Sequence, residues 1–565
     1  MSNGDFMKMK IFIILIVAAM LVVPLYFAFA DDAAVLPYTF PILHLTADNH
    51  PFDMERTEWH GGTLTLSNTT RNRRFYDAAV QIRGRGNATW WRGFDKKPLR
   101  IRFEQPRHLL GAAYAHSDWI LLANHFDASL MRNRTAFYLS NLLSGLDFQH
   151  TSHFVHVYIN GAYKGVYELT DERSIGPGRL PLTIHADPTV SEYFIELDRH
   201  VTNWLAHANT EGIDYFLIDD VPYNLRLPRL NERNGHFEYA YAFIKNAKKI
   251  IHTHDYVQIK KIIDIPSFID FYIINELMKN ADIDFSSLFM SIRGQGENRR
   301  LFFGPVWDFD YSSANTLDPE PSGFFVGENN VWMRELLATP EIFTRVVSRW
   351  NEIKDVEIAQ TLAHIESISR QYINEFLRNF EQHNILGTAM SPSPYRVWAI
   401  DCFENHVYFL LYWLQHRITW LDAFFNGYVI EYTPLFPFHT QEAALEYFHY
   451  FQFIKATAVT LTVDAVVVKP DNLFFIFNNR VYISTMDVNS IFAVNIEFNP
   501  EKGFFTINNN KLYENIYVLN IMEHRMEPAT PHDTELFLPL RTVTDFLGYG
   551  ISFCSATRTV FVTTN

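Results

Sequence analysis

Two short acidic segments carry the chemistry that this chain could perform. Asn280-Ala-Asp282-Ile-Asp284 closes a helical stretch, and after two short strand-like runs comes Gly304-Pro-Val-Trp307-Asp308-Phe309-Asp310. On an extended segment, residues i and i+2 share a side, so Asp308 and Asp310 are expected to face one way and Trp307 and Phe309 the other. Two carboxylates on one side repel unless a cation lies between them, and a divalent metal is the economical account. A strand-end turn with Asp310 capping Tyr311-Ser-Ser is the structural alternative. Asp282, just past the helix, is a loop carboxylate that could face a substrate hydroxyl. With the ordinary aspartate pKa near ~4 it would orient the hydroxyl and accept its proton late. A helix-terminal Asx turn is its structural alternative.

Phosphoryl transfer asks a protein for positioning and charge neutralisation more than for covalent help. A cation site for the phosphates is offered by Ile82-Arg83-Gly84-Arg85-Gly86-Asn87, where glycine lets the backbone approach closely, and by Lys96-Lys97 leading into the next strand. The alternative is a hairpin whose arginines pair with surface carboxylates. His252-Thr-His254 and His153-Phe-Val-His156 have no third metal ligand in sequence. Trp90-Trp91 could stack on a ligand or pack in a core. No nucleophile elbow and no complete Walker A sequence is present.

These residues need elements to hold them. From about Leu36 to Phe103 the pattern is strand and turn: Phe40-Pro-Ile-Leu-His-Leu-Thr, Gly62-Thr-Leu-Thr-Leu, Ala78-Ala-Val-Gln-Ile-Arg83 and Pro98-Leu-Arg-Ile-Arg-Phe103. Asp127 to Leu143 reads as a helix, and Val155 to Leu169 as a hairpin turning at Asn160-Gly161. From Tyr239 to Asn426 helical patterns dominate. Asp264 with Pro266-Ser267 gives a start signal, and Ile269, Ile273 and Leu277 share a face. Helices are also expected over Ile342–Trp350 and Cys402–Asp422. After Tyr432 the texture turns to short strands, and Val481–Ile507 aligns without gaps on Leu536–Val562, a duplicated unit.

At 565 residues and 48% hydrophobic, the chain can bury two or three cores. Its 63 acidic against 48 basic residues argue against a nucleic-acid partner, which needs clustered Lys and Arg. Lys8 and Lys10 precede an apolar run from Ile11 to Ala30 ending Ala28-Phe-Ala30, so residues 1–30 form a signal peptide or an N-terminal anchor. Asp31 onward is therefore expected outside the cytoplasm. Only Cys402 and Cys554 are present, far apart, which fits a bacterial exported protein that folds without disulfides.

Taken in order, Ile82–Trp90, Lys96–Phe103, Asp118-Trp-Ile-Leu-Leu-Ala-Asn124, Leu130-Met-Arg-Asn133, Val157–Tyr167, Asn280-Ala-Asp282, Trp307–Asp310, Trp413–Arg417 and Trp420-Leu-Asp422 resemble the spore-coat protein H (CotH) kinase family over residues 36–430. The resemblance implies an α+β, atypical protein-kinase-like two-lobed domain. It would use ATP and Mg²⁺ or Mn²⁺ to phosphorylate Ser or Thr of a surface or spore-coat partner protein. It makes Asp282 the catalytic carboxylate and Asp308 the metal ligand, with Asp310 as a second ligand. Arg83, Arg85 and Lys97 would neutralise phosphates, with Arg132 and Asn133 nearby. Where many members carry Asn after the catalytic Asp, this chain has Ser286-Ser287. A hydroxyl is a weaker metal ligand than an amide oxygen, which weakens a second metal site and keeps a degenerate kinase open.

Residues 465–565 resemble the small α+β repeat domain named after the N-terminal domain of copper amine oxidases, through Leu536–Arg541, Phe546-Leu-Gly548 and Thr559–Val562. His524 and His532 provide no copper cluster, so an attachment module for a cell-surface or coat partner is expected. Two rival functions remain at this level. One is a non-catalytic surface or coat scaffold. The other is a glycosyltransferase whose Asp308-Phe-Asp310 holds a nucleotide-sugar metal.

Overall fold

Period-two alternation builds the first half of the molecule. β1 (Ile42–Ala47), β2 (His60–Ser67), β3 (Phe75–Gly84) and β4 (Leu99–Arg107) each turn every second side chain inward. In β4, Leu99, Ile101 and Phe103 are buried while Arg100 and Arg102 face outward. β5 (His116–Leu122), β6 (Ser152–Ile159) and β7 (Ala162–Asp171) are buried on both sides over much of their length, because helices cover their outer faces. The seven strands close into a barrel in the order β1-β2-β3-β4-β5-β7-β6, sealed by parallel pairing of Ile42–Leu45 with His156–Ile159. The computed structural model describes residues 40–427, except 49–50, 54–55, 71–72, 87, 92–93, 203–214, 229–234, 317–319, 389–396 and 398–399, and beyond them separate strands and helical positions between 460 and 563. The apolar run expected to be a signal or anchor therefore lies outside the described residues, as does the Trp91 side chain.

The β6–β7 hairpin turns at Asn160 (φ 48°) and Gly161 (φ 82°), the two left-handed residues of a type I′ turn. A Cβ at Gly161 would meet nothing within 4 Å. Gly161→Ala is accordingly expected to cost only the backbone strain, about 1 kcal/mol, read from a denaturant midpoint at unchanged slope.

The helix expected from Asp127 starts later, as α1 (Arg132–Leu142). The Asp127 carboxylate bends the chain first, accepting hydrogen bonds from Ser129 N at 3.0 Å and Arg132 N at 2.8 Å. A second, antiparallel sheet comprises β8 (Tyr193–Leu197), β9 (Tyr215–Ile218), β10 (Val221–Leu227), β11 (Leu288–Arg293) and β12 (Arg300–Phe303), in the order β12-β11-β8-β10-β9. It shares the larger core with α2 (His236–Ile251), α3 (Ile265–Leu277), α4 (Pro340–Ile353), α5 (Ala359–Gln371), α6 (Ile373–Gln382) and α7 (Phe403–Asn426). The architecture is a mixture of helices and sheets. α3 begins as its residues dictate: the Asp264 side chain accepts from Ser267 N, and Pro266 occupies the first turn.

A buried ion pair ties α7 to α3. Arg417, fully buried, donates to Glu276 Oε1 at 2.7 Å and to the carbonyls of Glu276, Pro321 and Gly323, while Glu276 also accepts from Phe325 N and Gly327 N. Arg417→Ala strands the Glu276 carboxylate in the core. It is expected to cost about 3–5 kcal/mol, measurable by urea unfolding followed through tryptophan emission.

In the C-terminal region the repeat offset recurs in the pairing. Ile496 lies opposite Ile507, and Phe498 opposite Phe505; in the second copy Ile551 lies opposite Val562, and Phe553 opposite Val560, each position displaced by 55 (551 − 496). The two leading strands pair with each other antiparallel, Ile483 opposite Leu538, which are themselves 55 apart (538 − 483). Val488 and Val543, again equivalent, are both buried. Among the described residues no helix is long and apolar enough to cross a membrane.

Candidate phosphate and metal cleft

The acidic residues reach one place because two segments are sewn together. Ala281 N donates to the Tyr311 carbonyl at 3.1 Å, Ser313 N to the Met278 carbonyl at 2.7 Å, and Asn280 Nδ2 to the Trp307 carbonyl at 3.5 Å. Asp282 opens a short 3-10 turn, Asp282–Asp284, whose first carbonyl accepts from Phe285 N and Ser286 N. From the other side Asn133, on α1, accepts from Phe309 N at 2.9 Å, holding the peptide between Asp308 and Asp310.

The expected strand placement of Asp308 and Asp310 is corrected. β12 ends at Phe303 and residues 304–309 are irregular. Asp308 takes a φ of 56°, a left-handed conformation that Asp tolerates better than most residues. Trp307 and Phe309 still enter the core, 1% and 0% exposed, while Asp308 and Asp310 face a cleft. Ser287 Oγ donates to Asp308 Oδ2 at 2.6 Å.

That cleft, about 610 Å³, is lined by residues of the barrel strands and of the second sheet, and Asp282, Asp308, Asp310, Arg83, Arg85 and Asn133 all line it. Gly84 and Gly86 shape its barrel-side rim. A Cβ at Gly84 would strike the Trp90 ring at 2.4 Å, and Gly86 has φ 82°. Trp90 is 4% exposed and belongs to the barrel core.

The guanidiniums divide into two kinds. Arg100 pairs with Asp118 and Glu172, and Arg226 with Glu196. Arg83, Arg85 and Arg173 have no ion-pair partner among the described residues. They lie instead over aromatic rings: Arg83 4.9 Å from Trp59, Arg85 5.4 Å from Trp307, and Arg173 4.3 Å from Trp307 and 4.4 Å from Phe289. A guanidinium held over a ring face by cation–π attraction keeps N–H groups to donate elsewhere. Burial lowers Arg83 and Arg173 to about 10, still cationic at neutral pH.

The carboxylates are crowded in the opposite sense. Asp282 opens on the cleft but is surrounded by protein, and that burial, then the charges of Asp310 and Asp308, raise its pKa well above the aspartate range. Burial and Asp308 push Asp310 up to about 7. Such a group favours an arriving cation. Among the described residues no three His, Cys, Asp or Glu side chains form a closed metal cage. Asp308 and Asp310 are the side chains that could hold a hard cation, which one or two carboxylates suffice to bind when its other ligands come from elsewhere.

Two expected phosphate ligands are elsewhere. Lys97 does not line the cleft; its Nζ lies 4.9 Å from the Trp90 ring and donates to the Phe52 carbonyl at 3.4 Å. Arg132 is 1% exposed and spends its donors on Asp127 and on the carbonyls of Ser312 and Ser313, bracing the turn after Asp310. Asn133 lines the cleft, yet its amide is engaged with Phe309 N and Asn124. Of the two histidine pairs, His156 meets Glu375 and Tyr163, and His252 and His254 both meet Glu335; among the described residues neither belongs to a group of three or more His, Cys, Asp or Glu that could hold a metal.

Sequence reasoning missed Arg173, together with Arg56, Glu172, Glu196, Asp198, His200 and Arg226, which also line the cleft. One signal was present for Arg173. It follows the end of β7 by two residues, much as Arg85 directly follows β3, so both are basic residues just past a strand end.

No curated protein matches the chain. The family model described as CotH kinase protein matches residues 80–421, more than half of the chain, and covers the cleft residues from Arg83 to Tyr311 but not Arg56 and Thr57. The chain belongs to the CotH kinase family.

Proposed function

We propose that the cleft transfers the γ-phosphoryl group of ATP to a Ser or Thr hydroxyl of a partner protein, with the barrel as the first lobe and the helical region as the second lobe of an atypical kinase. One observation carries this: three guanidiniums that lie over aromatic rings and, among the described residues, share the charge of Glu172 without a direct ion pair line a single cleft with three crowded carboxylates. Arg85 and Arg173, which share the Trp307 ring, would bind the phosphates, with Arg83 in the same cleft lining. Asp282 would receive and orient the acceptor hydroxyl. Asp308 and Asp310 suit Mg²⁺ or Mn²⁺, which when bound neutralises charge on the phosphates. The kinase unit is taken as residues 36–430, residues 465–565 as an attachment module resembling the copper amine oxidase N-terminal repeat, and residues 1–30 as the segment directing export.

The test is radiolabelled-ATP transfer by the purified chain with Mg²⁺ or Mn²⁺, using a Ser-rich peptide acceptor and the Asp308→Ala variant as control. Label incorporation that vanishes in the variant supports the proposal. Calorimetric ATP titration gives a sharper prediction. Arg85→Met and Arg173→Met should each weaken binding about 10–100-fold, the loss of one charge-assisted contact of roughly 1.5–3 kcal/mol, whereas Lys97→Met leaves it unchanged. One observation favours a second reading, a non-catalytic scaffold: the Ser287 hydroxyl already engages Asp308. Absence of both nucleotide binding and transfer in folded protein would select it.

A further inference from the structure

His200 sits beside the Asp282 turn with no part in the phosphate chemistry. Asp198, at the end of β8 and 7% exposed, accepts from His200 N at 3.1 Å and lies 3.0 Å from its Nδ1. With Nδ1–H donating to Asp198, the lone pair of a neutral ring is on Nε2. Nε2 has no partner among the described residues, and His200 lines the cleft with Asp282 and Ser286.

The imidazole meets the Phe285 ring edge-on, with centroids 4.7 Å apart and planes at 88°. Phe285 is 36% exposed, a large aromatic three residues after Asp282. Its backbone is held at both groups: Phe285 N donates to the Asp282 carbonyl, and Arg199 N donates to the Phe285 carbonyl at 2.8 Å. Arg199 Nε further donates to the Asp284 carbonyl at 3.1 Å. A buried carboxylate, an oriented acceptor nitrogen and an exposed ring against it are thus gathered beside Asp282, with Asp198 and His200 lining the cleft and Phe285 packed on His200.

We propose that His200 and Phe285 form the acceptor-binding lip of the cleft, with Asp198 as its positioning residue. Its occupant is an extended segment of the acceptor polypeptide. An apolar side chain next to the accepting Ser or Thr packs on Phe285, and a backbone N–H of the segment donates to His200 Nε2. This rests on the kinase proposal above and adds the kind of acceptor it selects. A flat ring presented beside a single acceptor nitrogen suits a polypeptide, whose apolar side chains and N–H groups alternate along an extended strand. A sugar, by contrast, would call for several polar partners at the same point.

The experiment compares ATP-dependent labelling of Ser/Thr peptides differing only in the flanking residue, apolar or charged, by the full-length wild type and by Phe285→Ala, His200→Asn and Asp198→Asn. The wild type should prefer the apolar flank. Phe285→Ala should abolish that preference, and His200→Asn and Asp198→Asn should raise the acceptor KM about tenfold, corresponding to about 1.4 kcal/mol, with the KM for ATP unchanged. A purely structural role for Asp198 would move both KM values together. Wild type without flank preference, or variants that keep it along with the wild-type acceptor KM, overturns the lip. ATP turnover that depends on Asp308 but labels no peptide also overturns it while leaving nucleotide chemistry standing. No nucleotide binding at all overturns the kinase proposal and this one together.

Discussion

Asp282→Asn is expected to lower kcat for phosphoryl transfer by about 10²–10⁴-fold, the usual worth of a positioned acid–base group, while ATP still binds. Stability should move the other way. The ionised Asp282 carboxylate is disfavoured by burial and by the neighbouring Asp310 and Asp308 charges. An isosteric neutral amide removes that repulsion, so the unfolding midpoint of the variant is expected to equal or exceed that of the wild type. Kinetics and thermal unfolding on one preparation check both halves, and a variant both inactive and destabilised would contradict the assignment. Asp308→Asn should behave differently, because the loss there is of the cation ligand. ATP affinity measured with and without Mg²⁺ should become the same.

A steep loss of stability in mild acid is the second large effect. His125 and His150 are held down to about 3, and His383 and His406 to about 4. Burial is the leading cause for all four. The next contributors are Lys96 for His125 and His383, Arg173 for His150, and Arg132 for His406. Their folded pKa values lie below that of unfolded histidine, near ~6.5, so the unfolded chain binds more protons between those limits. Stability is therefore full above about pH 6.5 and falls as pH drops toward 4. Each proton contributes about 1.4 kcal/mol per pH unit, and four together about 5. Raised carboxylates such as Glu168 and Asp310 titrate in the opposite sense and soften the upper part of this fall. Urea unfolding at a series of pH values measures the slope. His150 stacks on Phe137 at 4.2 Å, and among the described residues neither of its ring nitrogens has a hydrogen-bond partner. His150→Phe should therefore make the slope shallower by about one proton, whereas an unchanged slope would show that the ring does not titrate on unfolding.

Much of the fold was legible because its signals are local. The Asp264 cap with Pro266, the left-handed pair Asn160-Gly161 and the alternation of Leu99, Ile101 and Phe103 each depend on residues a few positions apart. The 55-residue repeat was legible for a related reason: equivalent apolar positions had to recur to make equivalent hairpins. Asp282, Asp308 and Asp310 stood out as carboxylates flanked by apolar residues that had to be buried. The sheet containing β8 to β10 was not foreseen, and neither was closure of the barrel. The sealing contact joins residues such as Ile42 and His156 by side-by-side pairing, which leaves no periodic mark in either segment.

What the sequence by itself determined is the set of available groups and their local geometry: basic residues after strand ends, acidic residues at two turns, and the period of each element. Only the tertiary structure decided which cations are free to meet a ligand. Arg132 is spent on carbonyls 180 and 181 positions away, and Lys97 turns to Trp90, while Arg173 reaches the cleft. A side chain's local sequence sets its reach, but whether its charge is already neutralised depends on which distant backbone and side-chain groups the fold brings within hydrogen-bonding distance.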